Sequence, residues 1–338
     1  MTARAVIFGC AGPELLPEEA AFFRDSGPWG FILFARNIKS PEQVAELVDS
    51  LRNCVGRPSA PVLIDQEGGR VARLTSPHWR TAPPAEKFGQ LYARQNPVLA
   101  RQACKLNGRL LAHELAALGI TVDCVPVLDV PAPGGHQIIG DRAFASDPAI
   151  VAELGRAICE GLMAGGVLPV IKHIPGHGRA GADSHLDLPQ VNASLDELRR
   201  TDFAPFRALR DMPLAMTAHV AYTAIDGAVP ASHSAKIIRD IIRGEIGFDG
   251  VLMCDDLGMK ALKGDFAERA ARAIAAGCDV LLHCSGVMTE MREVLRETPM
   301  LSSQAMVRCA AALAHLQIPD KFDAVAAKAQ LDGLLGEA

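Results

Sequence analysis

Short apolar runs alternate with helical patterns from one end of this chain to the other, and that alternation constrains the fold more than any single motif. The runs fall at residues 5–8, 31–34, 62–64, 122–127, 168–171, 214–217, 250–253 and 279–282. Runs this short and this continuously apolar read as strands buried on both faces, the habit of parallel sheets. Parallel neighbours need a crossover, and the stretches between several of the runs supply one. Ser40-Pro41-Glu42-Gln43 is a capping box with proline at the first helical position, and Val44, Leu47, Val48 and Leu51 then mark one apolar face. Ser194-Leu195-Asp196-Glu197 is a second capping box, and Asp147-Pro148 opens a helix with Leu154 and Ile158 on its inner side. Eight strand–helix units predict an α/β fold built as a single (β/α)₈ barrel. A doubly wound open sheet is the structural rival. No linker, charge block or repeat interrupts the pattern, so one catalytic domain is expected over residues 1–338, with the alanine-rich tail after Ser302 helical on its outside.

Composition removes several function classes. Hydrophobic residues make up 49% of the chain, enough for a large core, and the net charge of -5 lacks the basic bias of a nucleic-acid binder. Aromatic residues, at 5%, are too few for a base-stacking surface. No apolar run approaches a membrane span. The segment before Cys10 is too short for an export signal, so it reads as a first strand and the cytoplasm is the expected compartment. The nine cysteines are scattered, contain no Cys-x-x-Cys pair and read as reduced, buried hydrophobes.

The barrel reading makes a second prediction, that catalytic groups gather at the C-terminal ends of the strands. The apolar runs end in Asp65, Asp129, Lys172-His173, His219, Asp255-Asp256 and His283. Any one of these reads equally well as a strand end meeting solvent. Six together converge on one mouth. The densest stretch is Lys172-His173-Ile174-Pro175-Gly176-His177-Gly178, followed by Asp183-Ser184-His185. Proline and glycine there stop regular structure, so these groups are expected on a loop.

Two motifs mislead. Gly176–Gly181 matches G-x-G-x-x-G, but no helical face follows it, as a dinucleotide site requires. His173 and His177 have zinc-protease spacing, yet Pro175 and Gly176 lie between them and deny a common helical face. A metal-dependent hydrolase with ligands scattered over several strands stays open as a rival; no metal or cofactor site is assigned.

Several separated blocks carry a family resemblance. Asp65-Gln66-Glu67-Gly68-Gly69-Arg70-Val71-Ala72-Arg73-Leu74, Pro126–Val130, Gly140–Phe144, Lys172–His185 and Gly247–Leu257 together resemble glycoside hydrolase family 3. The branch they resemble is the β-N-acetylglucosaminidases, and within it the bacterial cytoplasmic enzymes of peptidoglycan recycling. The resemblance implies a (β/α)₈ barrel, matching the strand count. It implies Asp255 as nucleophile, His185 as general acid/base oriented by Asp183, and Asp65, Arg73, Arg142, Lys172 and His173 as the residues that hold the terminal sugar. Cys254 and Gly258 depart from the serines common in this branch, and neither removes a catalytic group.

The chemistry fits these residue types. Retaining hydrolysis needs a nucleophile on one face of the sugar and a proton donor on the other. Histidine titrates near neutrality, so His185 can donate and then accept a proton, with Asp183 fixing its tautomer. The glycine-rich setting is expected to let that pair move in and out of the site. Adjacent strand residues point to opposite sides, so Asp255 is expected to face the mouth and Asp256 to brace the loop. Arg70 is expected to stabilise the fold. Few aromatics argue for a short pocket and exo action on a terminal β-linked N-acetylglucosamine of a cell-wall fragment, an anhydro-muropeptide. The partner is thus a small carbohydrate, with no nucleic acid or membrane, and the chain is taken as a monomer. A phosphorylase on the same scaffold is the nearest rival, because a neutral His185 would not repel incoming phosphate. A silent sugar-binding protein is a third reading.

Overall fold

Eight parallel strands form one sheet that curls back on itself. In chain order they are β1 (Arg4–Gly9), β2 (Pro28–Leu33), β3 (Val62–Ile64), β4 (Val122–Asp123), β5 (Leu168–Ile174), β6 (Leu214–Thr217), β7 (Val251–Met253) and β8 (Leu281–His283). The computed structural model describes residues 3–94, 96–132, 139–180 and 188–336. Spatial order follows chain order from β1 to β7, and β8 pairs with β1. A parallel bridge between Met253 and Val280, with Cys254 N–H donating to Val280 O at 3.2 Å, brings β7 against the approach to β8 and closes the ring. This is the (β/α)₈ barrel that the spacing of apolar runs predicts, not the open sheet.

The strands are buried on both faces because helices cover the outside and side chains fill the inside. The predicted caps form. Ser40 Oγ accepts from Gln43 N–H, Ser194 Oγ from Glu197 N–H, and the Asp147 carboxylate from Ala149 N–H. Val44, Leu47, Val48 and Leu51 are buried, as are Leu154 and Ile158. Helices Ser303–Leu313 and Ala324–Leu335 lie outside the barrel, the first against β7 and the second against helix Pro97–Ala116.

Boundaries shift where local chemistry overrides apolarity. The run 122–127 is a regular strand only over Val122–Asp123, because Pro126 has no N–H to donate; pairing resumes at Val127 against Lys172. Asp279 precedes β8 rather than starting it. Its carboxylate accepts from Leu252 N–H at 3.0 Å and from Arg243 at 2.6 Å, which anchors the foot of the strand. β5 runs three residues beyond its apolar stretch, so Lys172 and His173 lie on the strand and not on the loop. A short parallel pair, Gln190–Val191 with Ala221–Tyr222, sits outside the barrel sheet and has no counterpart among the predicted strands.

Helices Pro97–Ala116 and Pro148–Ala164 cross at glycines. A Cβ on Gly161 would stand 2.1 Å from Lys105 O, and one on Gly108 would stand 2.5 Å from Ile158 O. Alanine in place of a helix-interior glycine normally stabilises by about 0.5–1 kcal/mol. Here the sign reverses: Gly161→Ala is expected to destabilise by about 1–3 kcal/mol through overpacking. A denaturant midpoint at or above that of the unsubstituted chain would refute the close crossing.

Candidate active site

At the C-terminal end of β3 the chain leaves the sheet through Asp65-Gln66-Glu67. Both carboxylates turn into the barrel mouth beside Lys172 of β5. Lys172 Nζ stands 2.8 Å from Asp65 Oδ1 and 2.7 Å from Glu67 Oε1, and the lysine is only 2% exposed. Arg73 reaches Asp65 at 3.1 Å, and Arg142 grips Glu67 through two bonds of 2.7 and 2.8 Å. Burial alone would raise both carboxyl groups. The Lys172 and Arg73 charges beside Asp65, and Lys172 and Arg142 beside Glu67, outweigh it and hold both below the usual carboxylate range. Burial would likewise neutralise Lys172, but its two carboxylates hold the ammonium charged. The result is a fixed array of charged donors and acceptors, the material from which a site grips sugar hydroxyls.

Gln66 points the other way and ties the returning loop. Its Oε1 accepts from Arg73 N–H at 2.8 Å and Leu74 N–H at 2.9 Å, and its Nε2 donates to Leu74 O. Arg73 is thereby delivered back to Asp65, eight residues earlier in the chain.

Beyond β4, the fully buried Asp129 receives the stretch Lys172–Gly178, the signature segment of the resemblance. Its carboxylate accepts from His173 N–H and His177 N–H and lies 2.7 Å from His173 Nδ1. The register of β5 against β6 slips between Lys172 and Ile174. The peptide bond between Lys172 and His173 is cis. Both side chains reach the same pocket. Burial pushes the His177 imidazole down to about 4, leaving it neutral at ordinary pH.

Asp255 and Asp256 follow β7. Strand alternation predicts that only one of them faces the mouth, yet both reach the pocket wall. The reason is that β7 ends at Met253, so the pair lies in the turn and not on the strand. Asp256 also braces the loop as expected, accepting from Gly258 N–H and Cys284 N–H at 3.0 Å each. Asp255 Oδ1 accepts from Asp256 N–H at 2.8 Å. Burial pushes the Asp255 carboxyl up, while the His219 and His173 rings and this N–H pull it down, and the balance falls below its ordinary value. Burial lowers the His219 imidazole from its ordinary value. His219 and His283 are buried and bonded to the frame, His219 to Ser232 and the Asp256 carbonyl, His283 to Ser285.

Together these groups line a cavity of about 300 Å³. It brings together Asp65, Arg73, Arg142, Lys172, His173 and Asp255 from the predicted set, with Glu67, Arg70, His177 and Asp256 beside them. His185 and Asp183 lie outside the described residues. Arg70 stands at the rim, 2.8 Å from Asp141 and 45% exposed, so it belongs to the pocket wall as well as the fold. Glu67 is the main omission from the predicted set. Its signal was present only in its place beside Asp65, just past the end of β3. Asp129 was legible as a strand end, but its hold on two histidines was not. Among the described residues no cluster of His, Cys, Asp or Glu is arranged to hold a metal ion.

Comparison with known proteins agrees with this geometry. Residues 18–317 match the glycosyl hydrolase family 3 N terminal domain. The chain is 39% identical to the beta-hexosaminidase of Methylobacillus flagellatus over 84% of this chain and 81% of that protein. It is 40% identical to the beta-hexosaminidase of Alkalilimnicola ehrlichii over 83% and 80% of the two chains. Its fold matches the crystal structure of NagZ from Neisseria gonorrhoeae in complex with N-trifluoroacetyl-D-glucosamine, with a TM-score of 0.89, 34% identity and 99% of each chain covered.

The charge array makes a prediction about stability. Glu67→Gln leaves Arg142 buried without its carboxylate, which is expected to cost about 3–5 kcal/mol at neutral pH. Because the folded-state pKa of Glu67 is depressed, its contribution is full above the unfolded value of about 4.3 and fades as pH falls through the folded one. Denaturation of both proteins between neutral and strongly acid pH should therefore show a gap that closes on acidification. A gap independent of pH would mean that the pair is not ionised.

Proposed function

The chain belongs to glycosyl hydrolase family 3 and is a β-N-acetylhexosaminidase of the NagZ type, and from that premise we propose that it releases terminal, non-reducing β-linked N-acetylglucosamine from peptidoglycan fragments. In this reading it is a retaining exo-enzyme acting on N-acetylglucosaminyl-1,6-anhydro-N-acetylmuramic acid and its peptides. Asp255 is the nucleophile, His185 the acid/base and Asp183 its orienting partner. The observation that carries the reading is the half-buried Asp255 carboxylate, its pKa held below the ordinary value, in the wall of the same cavity as the Asp65–Lys172–Glu67–Arg142 array.

The steps follow from the groups present. Asp65 and Lys172, with Arg73, Arg142 and His173, take the hydroxyls of one terminal sugar and set its anomeric carbon over Asp255. Asp255 attacks that carbon as His185 gives its proton to the departing oxygen, so the glycosidic bond breaks as the sugar–carboxylate bond forms. His185, now neutral, takes a proton from water as the water oxygen attacks the anomeric carbon and frees Asp255. The cavity of about 300 Å³ suits a single terminal residue better than a polysaccharide groove. The nine free cysteines, most of them buried, support a reducing compartment, the cytoplasm. No helix among the described residues is long and apolar enough to cross a membrane. We take the working unit to be a monomer with one catalytic domain.

Turnover of an aryl β-N-acetylglucosaminide tests the assignment. Asp255→Ala is expected to abolish activity, and His185→Ala to reduce it by roughly 10²–10⁴-fold. The product should be free sugar with or without phosphate, and a chelator should change nothing. A sugar phosphate as product would make the enzyme a phosphorylase, and full activity in Asp255→Ala would remove the nucleophile.

A further inference from the structure

His173 in the pocket wall is paired with a carboxylate buried behind it, Asp129. We propose that Asp129 is a positioning residue that locks His173 in the tautomer protonated at Nδ1, so that Nε2 meets the bound sugar as a neutral hydrogen-bond acceptor. The inference rests on the reading of His173 as a sugar contact and adds the chemical character of that contact.

The geometry is specific. Asp129 is fully buried just past β4, and its Oδ2 lies 2.7 Å from His173 Nδ1. Its Oδ1 is already committed to the backbone N–H groups of His173 at 3.2 Å and His177 at 2.7 Å. Burial would raise this carboxyl, but the His173 ring contact and the two N–H bonds it accepts outweigh that and lower it below its ordinary value. An ionised carboxylate only accepts, so the hydrogen in the Oδ2–Nδ1 contact belongs to the histidine. A neutral imidazole has one N–H. Spending it on Asp129 leaves a lone pair on Nε2, which has no hydrogen-bond partner among the described residues while the ring lines the cavity.

That lone pair gives the pocket an uncharged acceptor beside its cationic donors. Lys172, Arg73 and Arg142 are donors, and their nearest acceptors, Asp65 and Glu67, are bonded to them. A sugar hydroxyl that accepts from a cation must also place its own hydrogen. A further carboxylate for that purpose would add negative charge near Asp255, whereas a neutral Nε2 takes the hydrogen without it.

Asparagine at position 129 separates this role from simple loop anchoring. Its oxygen can keep the two backbone N–H bonds, which then turns the amide NH₂ toward Nδ1 and forces the hydrogen onto Nε2. With ¹⁵N-histidine labelling at pH 8, and the His173 signals assigned by their loss in His173→Gln, the unsubstituted enzyme should show a protonated Nδ1 and a bare Nε2. Asp129→Asn should show the reverse. On an aryl β-N-acetylglucosaminide it should raise KM by roughly 10- to 100-fold, from an acceptor turned donor, with a smaller change in kcat and in melting temperature.

A residue that only anchored the loop would lower kcat and stability together and leave the tautomer unchanged, which overturns the proposal. So does a His173 ring in the unsubstituted enzyme that is protonated at Nε2, alone or with Nδ1. If Asp129→Asn does not fold, the spectrum of the unsubstituted enzyme still decides. Absence of any turnover by that enzyme would sink the hydrolase reading instead, since the tautomer is read without substrate.

Discussion

A lysine ammonium buried between two carboxylates holds the mouth of this barrel together. Lys172 comes from β5, and Asp65 and Glu67 from the end of β3, so the charge spans the strand between them. Taking these groups out of water costs several kcal/mol each, and their mutual attraction offsets that only where the geometry is good and the remaining hydrogen-bonding positions are filled. Arg73 and Arg142 fill them. The array is therefore weak evidence for stability. It is better evidence for pre-organisation, since donors and acceptors already fixed before a sugar arrives need no reordering when it binds.

The loops around the array are held by a recurring device. A buried polar side chain just past a strand accepts backbone N–H groups of a loop. Gln66 holds the loop that returns Arg73, Asp129 holds the signature segment after Lys172, and Asp256 holds Gly258 and the segment at Cys284. Each satisfies donors that would otherwise be lost in a buried turn, and each fixes the direction of a side chain that lines the cavity. The barrel supplies the convergence, and these side chains set the aim.

Much of this was legible before any coordinates. Apolar runs bounded by caps and turns located all eight strands, since burial on both faces leaves no room for polar residues. The same logic exposed most of the site: ionisable groups at the ends of apolar runs have few places to go but the barrel mouth. What stayed hidden depended on partners far apart in the chain. Glu67 had no assigned role in the sequence, and only Lys172 and Arg142 beside it place it in the site. Asp256 was expected to face away, because strand alternation was carried past the point where the strand ends. The extension of β5 through Lys172 and His173 was masked by their polarity, as charge in a strand is affordable only when another strand brings the countercharge.

The sequence by itself determined the class of fold, the number of barrel strands and the family, and it offered Asp255 as the candidate nucleophile. These follow from local pattern and from short blocks whose residue types are tied to one chemistry. Tertiary structure decided which charges neutralise one another, which carboxylate contacts which histidine, and that both aspartates of the Asp255-Asp256 pair reach the cavity. Most of those outcomes depend on distances between residues tens to more than a hundred positions apart, and closing the barrel is what brings them within hydrogen-bonding range.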